Sequence, residues 1–450
     1  MLRRKDILVL GMMIFALFLG AGNIIFPPME GFQAGQHWPV AATGFILTGV
    51  LMPFITLVCV ATLGRGEILT RDLPRWAEIA FLGILYLVIG STFAMPRVTN
   101  VAYEMAWLPL NVTTDDETGR FTFSLIFNLI AMLFMLRPNT IISSVGKFMT
   151  PALLALLVVV SISVINSPLS PIQMPTQAYA EQPALTVGLL GGYQTMDVLA
   201  AIAFGGIVSR ALAVKGISQG NVVMKYTLSA GAVSVVMLAA LYFSLFYLGA
   251  TAADVAQTAK NGGQIFSRYV AELFGQRGTW MMAGIIILAN LTTLVGVTSA
   301  AADYFAKFHP RLGYPFWVII FTLMTTAISQ YGLTTLLRVT IPALLLIYPL
   351  AIMLVALQLI RRQLPSIKLS YYATLLTTLC FSLCDSLRNL GWLPESINQT
   401  LSALPLYDLG LPWLLPALAM MLLSMLIGRL AKQQYPTDKK IGRPLADGLF

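Results

Sequence analysis

Residues 18–28 read FLGAGNIIFPP. The stretch closes the first apolar run of the chain, where a plain membrane helix would carry Leu and Val, and it brings together Gly20, Gly22, Asn23, Pro27 and Pro28. In hydrocarbon every backbone N–H and C=O needs a partner, so irregular backbone persists only where protein or a water-filled cavity serves it. A glycine pair alone is explained as well by close approach of another helix, with Pro27–Pro28 merely ending the span. The rest of the chain decides between these readings.

At 57% hydrophobic and 10% charged over 450 residues, with a mean hydropathy of +0.79, the chain has too little polar surface to cover a soluble globule. Twelve apolar runs, at 7–27, 39–63, 78–107, 121–136, 145–166, 185–208, 225–248, 279–306, 314–331, 337–360, 370–390 and 411–431, approach the roughly 20 residues a helical crossing needs. They are too long and continuous for barrel strands of about ten alternating residues. The expected fold class is an all-α polytopic membrane protein of 12 transmembrane helices, folded as a single transmembrane domain over 1–450. The runs are called spans 1 to 12 below.

Cytoplasmic loops are enriched in Lys and Arg. With the N-terminus inside, the inner segments collect Arg3, Arg4, Lys5; Arg65, Arg71, Arg75; Arg137, Lys147; Arg210, Lys215, Lys225; Lys307, Arg311; Arg361, Arg362, Lys368; and Arg429, Lys432, Lys439, Lys440, Arg443. Asp115, Asp116 and Glu117 crowd an outer loop. Both termini are therefore expected in the cytoplasm, in a multi-pass arrangement. The net charge of +9 is spread over short segments and forms no continuous stripe, which points to orientation and anionic lipid, with no nucleic acid partner. The opening MLRRKDILVLGMMIFALFLGAG imitates a signal peptide, but eleven further spans make cleavage improbable. Cys59, Cys380 and Cys384 lie in spans without metal-ligand spacing and read as small core residues.

Two copies of one unit are visible. MTPALLALL (149–157) and TIPALLLIY (340–348) both place Pro-Ala-Leu-Leu near the start of a span, and AFGGIV (203–208) in span 6 offers a glycine break to match the one at Gly22. Spans 1–5 (1–166) and 6–10 (185–360) then form two five-span repeats, with spans 11 and 12 (370–431) appended and 432–450 as a cytoplasmic tail. Five is odd, so the second copy starts on the opposite side and the repeats are inverted. Secondary transporters place their sites where discontinuous helices of two such repeats meet near the midplane. The discontinuous helices expected here are spans 1 and 6.

A break exposes amides that suit a carboxylate and carbonyls that suit a cation. Within span 6, Gly191–Gly192 are expected near the outer edge, and Asp197 is an acid inside a span, by default a functional residue. Its candidate partners are a coupling cation, a substrate ammonium or Arg97 of span 3; equally, it could cap a broken helix with its own oxygens. Arg97 is a gate or carboxylate-clamp candidate, and Glu104, seven residues on, shares its helical face; snorkelling or pairing with Glu104 is the more ordinary role. Asp385 and Arg388, at i and i+3 on span 11, are expected to satisfy each other. His37 and His309 sit near membrane edges and suggest neither metal site nor proton relay. Thr292 and Thr293 lie at the middle of span 8, with Thr298 and Ser299 further inward. Single hydroxyls in membrane helices often bond the preceding turn; a neighbouring pair facing the carbonyl end of span 1 would complete an oxygen shell for a hard monovalent cation. Nothing basic in the middle of span 5 stands in for that ion, which favours sodium over protons.

LFLGAGNIIFPP, GYQTMD opening span 6 and LTTLVG in span 8 closely resemble the bacterial branched-chain amino acid:cation symporters, along the whole chain. That resemblance implies uptake of leucine, isoleucine and valine across the bacterial cytoplasmic (inner) membrane. It also implies the five-plus-five inverted-repeat fold of the sodium-coupled leucine transporter. By the same likeness, amides of Ala21 and Gly22, beside Asn23, would hold the substrate carboxylate. Carbonyls of Ala16 and Leu19 with hydroxyls of Thr292 and Thr293 would hold sodium, and Thr195, Met196, Asp197 and Leu199 would line the pocket. No cofactor beyond the coupling sodium is implied. The competing readings are a proton-coupled transporter of the same fold and a passive channel, which would need a continuous polar lining. An enzyme is disfavoured, because the spans carry no metal motif, no nucleophile with its base and no histidine.

Overall fold

A computed structural model describes residues 3–110, 117–136, 142–308, 311–404, 406–407 and 410–434. Asp115, Asp116, Arg137, His309 and most of the expected tail, with Lys439, Lys440 and Arg443, lie outside the described residues. The architecture is all-helical. Among the described residues eight helices are long and apolar enough to cross a bilayer, and shorter apolar helices run over Leu154–Asn166, Ala184–Tyr193, Tyr314–Ser329 and Leu414–Leu430.

Span 1 is two helices. Arg4–Phe18 ends at Leu19, Gly20 is extended (φ −104°, ψ −178°), and a second helix runs Ala21–Ala34. Pro27 and Pro28 sit inside that second helix, which excludes the alternative that they merely end the span. Proline removes the N–H that would bond the carbonyl four residues back and so frees the Asn23 and Ile24 carbonyls while the helix continues.

Span 6 is also two helices, but its break is not at Gly205–Gly206. Ala184–Tyr193 ends at Gln194, and Asp197–Val214 begins after Met196, which takes the left-handed conformation (φ 64°, ψ 16°). Gly205 lies within the continuous second helix, where a Cβ would stand 2.5 Å from the Val60 side chain. Its smallness serves helix packing. Gly191 and Gly192 occupy the turn just before the break; a Cβ on Gly192 would overlap the Thr48 hydroxyl, so they belong to the interior and not to an outer edge.

Span 2 explains how a broken helix is held. Its N-terminal part (Trp38–Ile46) packs along the first half of span 6 and its C-terminal part (Met52–Leu63) along the second half. Between them a wide π turn over Leu47–Leu51 faces the interruption, where Thr48 Oγ1 donates to the Leu189 carbonyl at 2.6 Å. Span 7 (Gly220–Ala250) does the same for span 1, packing along both of its halves. Span 3 bends at Gly90 and Phe93 and carries two more π turns, Val88–Thr92 and Tyr103–Trp107. Spans 10 (Gly332–Leu359) and 11 (Ile367–Asn389) pack on each other, and span 12 packs on span 11. Outside the spans, Arg361 grips Asp72 through Nε (2.8 Å) and Nη2 (3.0 Å), and this hydrogen-bonded pair holds the Asp72 carboxyl below the usual carboxylate range.

Two smaller expectations are corrected. Cys59 is buried, but Cys380 is exposed on the outside of its helix. Arg388 stacks on the Tyr407 ring, 4.0 Å from its centroid, and donates to the Tyr407 carbonyl at 3.4 Å. Asp385 Oδ2 is buried without a hydrogen-bond partner among the described residues, so the expected Asp385–Arg388 pairing is replaced by a cation–π contact.

The closest packing joins span 1 to its neighbours: a Cβ at Gly262 would overlap the Ile25 carbonyl oxygen and one at Gly249 that of Pro28, whereas a Cβ at Gly284 meets nothing within 4 Å. Gly262→Ala and Gly249→Ala are expected to destabilise the protein by about 1–3 kcal/mol each, read as loss of monodisperse protein on heating in detergent. Gly284→Ala is expected to leave the melting profile unchanged.

Candidate functional site

The two interruptions face each other. Asn23, in the first turn after the break of span 1, donates through Nδ2 to Asp197 Oδ2 at 2.6 Å and to the Tyr242 hydroxyl of span 7. Its Oδ1 accepts from the Gly20 amide at 3.3 Å. One side chain thus closes the break of its own helix and ties it to the other broken helix. Asn23 and Asp197 are 1% and 4% exposed, a depth at which an unmatched polar group would cost several kcal/mol.

The amides at the two helix starts are treated differently. In span 6 the Val198 amide donates to the Tyr348 hydroxyl of span 10 (3.1 Å) and the Asp197 amide to Thr195 Oγ1 (3.4 Å), while Thr195 Oγ1 itself donates to the Gly192 carbonyl (2.9 Å). Tyr348 is further fixed by stacking on Tyr193, ring centroids 4.5 Å apart. In span 1 the Asn23 amide bonds back to the Gly20 carbonyl at 3.2 Å, and Ala21 and Gly22, as the first helical residues, have no intrahelical acceptor. Gly22 faces Arg97: a Cβ there would stand 2.9 Å from Arg97 Nη2 and 3.3 Å from the Phe26 ring.

Arg97 is 3% exposed. Its Nη1 donates to the Gln194 carbonyl at the break of span 6 (2.7 Å), and its guanidinium lies over the Phe26 ring at 5.1 Å. It does not snorkel. Glu104 accepts from Asn261 Nδ2 (2.6 Å) and Gln264 Nε2 (3.2 Å), one turn into the helix Gly262–Ala306. The two gate candidates therefore engage different elements.

A cavity of about 1110 Å³ approaches the same place from the end of the bundle where Arg65, Glu67, Arg210, Asp303 and Lys307 form a charged rim. Ala16, Phe204, Thr292 and Thr293 line its depth. Thr292 and Thr293 both donate to the Ala289 carbonyl (2.8 and 3.1 Å). That is the ordinary back-bonding of helix hydroxyls, and it spends their protons while leaving oxygen lone pairs free. The Thr293 methyl group lies 3.8 Å from a Cβ position on Gly20, which brings this helix next to the break of span 1. Among the described residues Thr298 Oγ1 is buried without a partner, and Ser299 accepts from the Tyr314 hydroxyl (3.0 Å). Met196 and Leu199 are buried at the span 6 break. Among the expected site residues, Leu19, Ala21, Gly22, Asn23, Thr195, Met196, Asp197 and Arg97 thus gather around the two breaks, Ala16, Thr292 and Thr293 line the adjoining cavity, and Glu104 stands apart. Tyr242, Tyr348 and Gln194 escaped the sequence reading; the signal available was a tyrosine hydroxyl in the interior of spans 7 and 10, which burial obliges to find a partner.

Two interrupted helices whose breaks face each other in a helical membrane bundle, with a deep cavity lined by the neighbouring turns of both, define a transporter architecture. Solved structures agree on the fold. The chain aligns with Mhp1, a nucleobase-cation-symport-1 family transporter in a closed conformation with bromovinylhydantoin bound, at TM-score 0.62 and 13% identity over 96% of this chain and 93% of that one. It aligns with MhsT, in complex with L-phenylalanine, at TM-score 0.56 and 14% identity over 94% and 98%. The residue pattern of the family of branched-chain amino acid transport proteins matches residues 3–431, and the chain belongs to that family. Relatives include the branched-chain amino acid permease BrnQ of Haemophilus influenzae, 69% identical over 95% of this chain and 98% of that protein. The branched-chain amino acid transport system 2 carrier protein of Pseudomonas aeruginosa is 39% identical over 95% and 97%, and BrnQ of Escherichia coli is 36% identical over 96% and 98%.

Asn23→Ala leaves the buried Asp197 carboxylate without its 2.6 Å donor and is expected to cost about 1–3 kcal/mol, seen as a lower melting temperature in detergent. Asn23→Ala combined with Asp197→Ala is expected to recover part of that loss; an additive double variant would deny the coupling.

Proposed function

We propose that the chain is a secondary active transporter that carries leucine, isoleucine and valine into the cell together with sodium, by alternating access to a site between the breaks of spans 1 and 6. The observation that carries this reading is the Asn23–Asp197 hydrogen bond joining two broken helices inside the bundle. Twelve crossings in two inverted five-span repeats, with both termini in the cytoplasm of an inner-membrane protein and spans 11 and 12 appended, are the arrangement this reading adopts. The family membership and the names of the relatives support the substrate class. On that orientation the charged rim of the cavity is cytoplasmic, and the conformation is the inward-open one. On the opposite side the Glu30 carboxylate accepts from the Tyr179 hydroxyl, and backbone bonds of Gln36 to Gln173 (3.0 Å) and of Thr176 to Gln33 (2.8 Å) seal the end of span 1.

In this reading the Ala21 and Gly22 amides, at the positive end of a helix dipole, meet the substrate carboxylate. The breaks supply Asn23, Thr195, Met196, Asp197 and Leu199 to its remaining surface. Sodium takes the carbonyls of Ala16 and Leu19 and the free lone pairs of Thr292 and Thr293, neutral oxygen ligands suited to a monovalent hard ion. Coupling follows because each ligand completes a break that the other also needs. Proton coupling is the second reading, favoured by one feature, the carboxylate of Asp197 within the bundle core.

Uptake of labelled isoleucine into proteoliposomes decides between them. An inward sodium gradient is expected to drive accumulation and a proton gradient alone to fail; equal uptake under both conditions denies sodium coupling. Gly22→Leu is expected to abolish uptake by filling the space beside Arg97. Thr293→Val, isosteric and lacking the hydroxyl oxygen, is expected to raise the sodium concentration for half-maximal uptake roughly tenfold, the equivalent of one lost oxygen contact.

A further inference from the structure

Arg97 is 3% exposed at the breaks, and among the described residues its Nε has no hydrogen-bond partner and its one hydrogen bond runs from Nη1 to a neutral carbonyl, that of Gln194. Among the described residues no carboxylate stands within ion-pair distance of it. Asp197, the nearest candidate across the break, gives its Oδ2 to the neutral Asn23 amide. Buried arginines are held by bidentate acceptors or they are costly. A guanidinium kept this deep with a free edge is therefore waiting for an anion.

The place of that free edge narrows the anion. Nη2 lies beside Gly22, at the start of the helix Ala21–Ala34, whose first amides have no acceptor of their own. Guanidinium N–H groups and helix N-terminal amides thus converge on one spot from spans 3 and 1. Two parallel donors from a planar fork match a carboxylate. The aromatic face of Phe26 covers the guanidinium on one side, which fixes its plane and keeps water from substituting for the ligand.

We propose that Arg97 is the carboxylate anchor of the transported amino acid: a charged residue of span 3 that, with the Ala21 and Gly22 amides, selects substrates bearing a free α-carboxylate. The assignment rests on the transport reading above. It also gives the substrate a mechanical part. A carboxylate seated there engages span 1 through its amides and span 6 through Arg97 and the Gln194 carbonyl, so that binding draws the two broken helices together.

The test is competition against labelled L-leucine uptake in proteoliposomes by L-leucinol, which keeps the side chain and ammonium but lacks the carboxylate. For wild type, leucinol is expected to compete at least roughly 10- to 100-fold less well than leucine, the value of one charge-assisted contact. In Arg97→Gln that ratio is expected to collapse toward one through loss of leucine affinity, with leucinol affinity nearly unchanged. Arg97→Lys, retaining charge without the fork, is expected to fall between. A purely structural role would weaken both ligands together. An unchanged ratio in a variant that still transports overturns the assignment, as does equal competition by leucinol and leucine in wild type, a measurement that stands even if neither variant folds. Absence of leucine uptake by wild type overturns the transport reading itself, and the two failures are thereby told apart.

Discussion

The hydrogen bond from the Asn23 amide to the Asp197 carboxylate, 2.6 Å long, is the connection on which the interior arrangement depends. A helix that stops inside a bilayer leaves backbone groups that lipid cannot serve, so the two breaks survive by serving each other. Asn23 does this in three directions at once, to its own backbone at Gly20, to span 6 and to span 7. Without it, the buried Asp197 carboxylate would lose its 2.6 Å donor and span 1 its tie to span 6.

The breaks are nevertheless unequal. Span 6 has its amides engaged by Tyr348 and Thr195, and its two halves lie against successive segments of span 2. Span 1 keeps its first amides open and places beside them an arginine with a free edge. Among the described residues one interrupted helix thus has its first amides engaged by the protein's own side chains, and the other does not. The cavity reaches Ala16 and the Thr292–Thr293 pair, beside the first half of span 1.

Much of this was legible in the amino-acid sequence, for identifiable reasons. Run length and hydropathy mark the helices because the bilayer sets a fixed length, and the break of span 1 is spelled out by two glycines, two prolines and a buried asparagine within eleven residues. The break of span 6 is not spelled out. Glycines at 205 and 206 attract the eye, yet they serve contact with Val60 and its neighbours, while the real interruption turns on Met196 in a left-handed conformation, a state that methionine adopts only when its surroundings impose it. Those surroundings are hydroxyls of Tyr348 and Thr195, distant or inconspicuous in the chain. Side-chain partners were likewise hidden. Asp385 and Arg388 share a helix face, but the Tyr407 ring offers the arginine a better seat than its neighbour's carboxylate.

The wide turn at Leu47–Leu51 carries one residue more than an α-helical turn requires. Such surplus can be handed along a helix: moving it by a turn turns only the residues it passes over, by about 100°, and exchanges one turn of peptide hydrogen bonds, while the helix on either side keeps its place. Trp38–Ile46 and Met52–Leu63 can therefore keep their grips on the two halves of span 6 while the stretch between them, which brings Thr48 to the Leu189 carbonyl, changes the face it turns toward span 6.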